Sequence, residues 1–193
     1  MGGWVDLDRI EFMKRLLLFC IFTISFIYSK TDVQIEIKNL FIDSQTLHAA
    51  NILMMHSFEG KKYGTLAWAY KNDSWSEGYC GLTYMPTPYF QFGAGLGLED
   101  ADSPLRLGSM VWIGKDNWYL LSLLEDGGSG KWHQINEIYR LKQYLGIGLM
   151  KEKYTGIGPK FELIVPSLPV QLWFSLLRVS DNRNIYFTIK FLF

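Results

Sequence analysis

Six charged side chains sit at alternate positions in segments rich in large apolar residues. They are Arg106 in "LRLGSMVWIGK", Arg140 and Lys142 in "YRLKQYLGIGLM", Lys160 and Glu162 in "GIGPKFELIV", and Lys190 in "NIYFTIKFLF". Alternate residues of a strand share one face, so these charges share a face where they pair with one another or attract charged groups. Other chemistry is thin. His48, His56 and His133 lack metal-ligand spacing and no cysteine joins them, so neither a metal nor a cofactor is expected. "GAGLG" (Gly93–Gly97) lies inside an alternating segment, not at the strand-to-helix turn that a dinucleotide fingerprint requires. "KNDSW" places Asn72, Asp73 and Ser74 between two apolar runs, as a hairpin turn does.

The elements that carry these residues repeat with a period of two. In "YFQFGAGLGLED", Phe90, Phe92, Ala94, Leu96 and Leu98 alternate with Gln91 and three glycines. "VQIEI" sets Val33, Ile35 and Ile37 against Gln34 and Glu36, and "GTLAWAYK" sets Leu66, Trp68 and Tyr70 against Thr65, Ala67 and Ala69. Turn-forming clusters such as "KNDS", "EDADSP", "GKDN", "EDGGSG" and "SDNR" separate the runs. That is the rhythm of an antiparallel meander. "KWHQINEIYRLKQ" is the exception, because Ile135, Ile138 and Leu141 have the spacing of a helical turn.

Lys plus Arg and Asp plus Glu both number 19, leaving no field to attract nucleic acid, and none is expected as a partner. The chain is 49% hydrophobic, too apolar for disorder. Only "MKRLLLFCIFTISFIYSK" approaches the ~20 apolar residues of a membrane helix. Its basic start, apolar run and small Ser29 fit a secretory signal peptide over residues 13–29, cleaved near Ser29. Residues 1–12 fit no signal pattern and read as an upstream translation artefact, with Met13 as the start. A single anchor helix is the competing reading, for which the run is short.

A soluble barrel turns its apolar face inward, and a membrane barrel turns it to lipid. Here the opposite faces carry glycines, small residues and scattered charges, suited to a crowded, polar lumen. Aromatic residues gather near segment ends at Tyr63, Tyr70, Trp75, Tyr84, Tyr89, Trp118, Tyr119 and Trp132, where lipid–water girdles form. The expected lumen-facing charges are therefore Arg106, Arg140, Lys142, Lys160, Glu162 and Lys190.

The final segment, with Ile185, Phe187, Ile189, Phe191 and Phe193 alternating, resembles the assembly signal of bacterial outer-membrane β-barrel proteins. That resemblance implies reading of Phe193, Phe191 and Ile189 by the barrel assembly machinery, and residence in the outer membrane in contact with its lipid. A second stretch, "LAWAYKNDSW", resembles the segment bearing the catalytic Asp–Ser pair of the lipid A palmitoyltransferase family, with further likeness at "GIGP" and the "IYF…F" ending. It implies catalytic roles for Asp73 and Ser74 at a rim, with His48 as the candidate histidine. Counted back from a periplasmic C-terminus, the Asp73 turn falls on the periplasmic side.

The sequence thus points to an all-β fold over residues 30–193: an antiparallel up-and-down transmembrane β-barrel of about ten strands, with eight or twelve as alternatives. The first functional reading is a narrow pore or envelope scaffold taking a small solute or lipid ligand. A lipid A acyltransferase-like enzyme and a soluble secreted β-barrel binding an apolar ligand are the alternatives. The balance favours a non-enzyme.

Overall fold

The computed structural model describes residues 31–42, 45–180 and 182–193; the expected artefact and signal peptide lie outside them. The strands are β1 (Thr31–Ile42), β2 (Gln45–Ser57), β3 (Tyr63–Asn72), β4 (Ser76–Thr87), β5 (Phe90–Glu99), β6 (Leu105–Lys115), β7 (Trp118–Gly127), β8 (Gly130–Lys142), β9 (Leu145–Glu152), β10 (Gly156–Val165), β11 (Val170–Val179) and β12 (Asn182–Leu192). Each pairs antiparallel with its sequence neighbours, and β12 returns to β1 to close the barrel. Val33 and Phe193 exchange backbone hydrogen bonds of 3.0 and 2.9 Å at this seam. Closure leaves no strand edge unpaired, as lipid demands.

Twelve strands is the largest of the three expected counts. The helical spacing in 131–143 is overridden, because β8 pairs along its length with β7 and β9. Cross-strand pairing satisfies more backbone than one isolated helical turn would. The turns are tight; Asp116 and Asn117 alone join β6 to β7, with Asp116 at φ 55°. Turns after odd-numbered strands lie at one end of the barrel, here called distal. The start of β1 and the end of β12 lie at the other, terminal end.

The barrel is polar inside and apolar outside. Leu82 and Leu96 are 68% and 59% exposed, whereas Arg106 and Glu162 are both 3% exposed. Burying ionised groups while leaving leucines outside is unfavourable in water and favourable in lipid. This excludes the soluble reading, in which the apolar faces would fill the interior. Tyr63, Tyr84, Tyr89, Tyr139 and Tyr144 are exposed toward the terminal end, where Tyr63 and Tyr84 stack at 5.0 Å. They form a girdle there.

β3 departs from the expected facing. Leu66, Trp68 and Tyr70 line the interior, so Thr65, Ala67 and Ala69 take the opposite face of the strand. The glycines of β5 and β6 explain this, because they leave lumen space that large side chains fill. A Cβ on Gly108 would lie 2.9 Å from the Tyr79 ring, and one on Gly93 would lie 2.8 Å from Leu66. Trp68 packs beside Tyr79, with ring centroids 5.2 Å apart.

Candidate functional site: the barrel lumen

The inward positions of the strands bring charges together into two clusters. The first surrounds Arg106 on β6. Its Nη1 pairs with Glu99 on β5, its Nη2 donates to Glu125 Oε2 on β7 at 2.9 Å, and its Nε stands 3.2 Å from Glu77 Oε2 on β4. Nε also donates to Tyr79 Oη at 2.7 Å, and Nη1 to Ser129 Oγ at 2.6 Å. Glu99 in turn accepts from the Ser129 amide at 2.7 Å. One guanidinium with three carboxylates thus ties four adjacent strands and the β7–β8 turn at the distal end, through the fork geometry that arginine alone offers.

The second cluster lies on β1, β8, β10 and β12. Glu36 is held between Lys190, at 2.8 Å, and Lys38, at 3.2 Å, and accepts from Asn51 Nδ2 at 3.1 Å. Lys160 donates to Asn136 Oδ1 at 3.0 Å, stands 3.2 Å from Glu162, and lies 4.3 Å from the centroid of the Trp173 ring. Glu162 also accepts from the Tyr119 hydroxyl at 2.8 Å, and Arg140 approaches it to 3.7 Å.

Five of the six expected lumen charges are in these clusters. Lys142 is not. It is exposed at the end of β8, where a register shift after Arg140 breaks the alternation. Glu36, Glu77, Glu99, Glu125 and Lys38 complete the clusters. Alternation already marks Glu36, which shares the face of Gln34, and Glu99, which follows Gly97 by two. For Glu77 and Glu125 no sequence signal distinguishes the inner face.

The rest of the interior is aromatic and aliphatic. A cavity of about 800 Å³ runs inside the barrel, lined by side chains from every strand. Its wall on β2, β3, β6 and β7 is largely apolar, while β8, β10, β12 and β1 supply most of the charge.

Asp73 and Ser74 lie in the β3–β4 turn at the distal end, opposite to the side expected from a count of about ten strands. With twelve strands, β3 runs away from the terminal end. His48 reaches the same rim, since the β2–β3 register stops at Ala49 and Asn72. The side chains of His48 and Ser74 are nevertheless engaged elsewhere. His48 Nδ1 is 2.8 Å from Asn39 Oδ1, and Ser74 donates its amide to Asn72 Oδ1 at 2.9 Å. Among the described residues, no hydrogen bond joins His48, Asp73 and Ser74, and no group of three His, Cys, Asp or Glu is placed to hold a metal.

Solved structures share this architecture. The KdgM porin superposes with a TM-score of 0.58 at 15% identity, over 83% of this chain and 99% of that one. The two chains share their barrel fold. A KdgM porin in complex with disordered oligogalacturonate gives a TM-score of 0.61 at 16% identity, over 83% and 99% of the two chains. Omp33 of Acinetobacter baumannii gives 0.55 at 10% identity, over 86% and 98%. No family model and no curated protein matches the sequence.

Proposed function

We propose that this chain is a narrow pore of the bacterial outer membrane, reached by export and by recognition of β12 through its outward Ile189, Phe191 and Phe193. The observation that carries the reading is the closed, apolar-coated barrel with a charged cavity of about 800 Å³ inside it. Tyr79, Trp68, Trp173 and Tyr186 project into the cavity and constrict it, which limits passage to small solutes. Donors without an acceptor in the chain, such as Arg140 Nη1 and Trp173 Nε1, await water or a solute.

The KdgM porin holds an acidic oligosaccharide. An acidic solute suits Lys38, Lys160 and Lys190 here as well, but the apolar wall suits a less hydrophilic body. Reconstitution of the barrel in a planar bilayer tests the pore. Stepwise current from protein that fractionates with the outer membrane, and whose electrophoretic mobility shifts on heating in detergent, is the expected result. A heat-shifting barrel that passes no current overturns it.

A further inference from the structure

The two walls of the lumen differ in kind at the same depth. On one side Leu53, Leu66, Trp68, Met110, Leu121 and Leu123 line the cavity. Charged groups adjoin this strip at both edges. Leu121 is the cross-strand partner of Asn136, which accepts from Lys160, and Leu53 is the partner of Gln34, next in the lumen row to Glu36. A purely hydrophilic solute leaves such a strip wetted and unpaired, and a purely apolar one leaves the charges unserved.

The sign of the complementary charge follows from access. The Arg106 cluster is closed on itself, with Arg106 and Glu99 side chains 4% and 0% exposed. In the second cluster the Lys190 and Lys38 side chains are 20% and 15% exposed, against 13% for Glu36 and 2% for Glu162. There Lys38, Lys160 and Lys190 line the cavity beside Glu36 and Glu162, and the Glu36 carboxylate is shared by Lys38 and Lys190. Glu152, nearer the distal end, is held by the Tyr186 hydroxyl at 3.0 Å. Within this cluster the side chains most open to the cavity are thus the cations Lys190 and Lys38.

We infer that the lumen binds amphiphilic monoanions: small solutes with one carboxylate and an aromatic or alkyl body. The body lies on the β2, β3, β6 and β7 wall, and the carboxylate meets Lys160 and Lys190. This rests on the pore reading and names its solute class.

The test is current block in planar bilayers by added naphthalene-2-carboxylate. Glucuronate, with the same charge and no apolar body, and naphthalene-2-methanol, with the body and no charge, are the controls. Block by the naphthoate at concentrations about tenfold lower than by either control is expected. Lys160→Gln and Lys190→Gln should each weaken naphthoate block several-fold, and Leu123→Gln should weaken it while leaving glucuronate block unchanged. Each variant is scored only after its heat-dependent mobility shift shows a folded barrel, and the three sites give independent reports. Equal block by naphthoate and glucuronate in a conducting barrel overturns the inference and leaves the pore standing. A folded parent barrel that passes no current overturns both.

Discussion

Arg106 on β6 and Glu125 on β7 are joined by a 2.9 Å ion pair inside the barrel wall, and the same guanidinium reaches Glu99 on β5 and Glu77 on β4. Replacing Arg106 with Ala leaves three buried carboxylates without their cation. The expected loss is ~3–5 kcal/mol of stability, the cost of breaking a buried pair by removing one partner. Lys in its place restores charge without the fork and is expected to recover only part of the loss. The temperature of the electrophoretic mobility shift, compared across parent, Ala and Lys forms, measures both. An Ala form as resistant as the parent would show the cluster to be dispensable.

Gly108 and Tyr79 form a coupled pair. The glycine leaves room for the Tyr79 ring, which approaches an added Cβ to 2.9 Å and presents its hydroxyl to Arg106. Gly108→Ala is expected to cost ~1–3 kcal/mol through overpacking. In a Tyr79→Ala background the same change should cost little. A double-mutant cycle on urea unfolding in lipid vesicles reads the coupling, and additive costs would remove the steric explanation.

The outer face makes its own prediction. Leu96 is 59% exposed and lies opposite Leu107 of β6 on the apolar surface. Leu96→Arg is expected to destabilise the barrel in vesicles by ~2–4 kcal/mol, the cost of an arginine near the bilayer midplane, whereas Leu96→Ile should be close to neutral. A tolerated arginine would place this face in water.

The turn carrying Asp73 and Ser74 is organised by Asn72, whose Oδ1 accepts from the Ser74 amide at 2.9 Å. Asn72→Ala is expected to cost about 0.5–1.5 kcal/mol, the net worth of such a bond. Ser74→Ala keeps the amide donor and should cost less. Lipid A acylation measured in cells carrying Ser74→Ala separates a turn residue from a nucleophile. Acylation present with Ser74 and lost with Ala would assign the serine a chemical role.

The period-two alternation after Thr31, the turn clusters and the inward set of Arg106, Lys160, Glu162 and Lys190 were all legible in the sequence. Alternation is a local property, fixed by the backbone of each strand. It does not say which face is the inner one when both are apolar. Hence Trp68 and Tyr70 of β3 read as lipid-facing, although the room left by glycines on other strands draws them inward. Nor could local pattern reveal the register break that puts Lys142 outside, since a bulge is defined only against the neighbouring strand. Strand count and the end that bears Asp73 also waited on the closed pairing of β12 with β1. Above all, the two-walled lumen is a tertiary fact. Leu53, Leu121 and Lys160 come from distant parts of the chain, and only closure of the barrel sets an apolar strip across from a cluster of lysines.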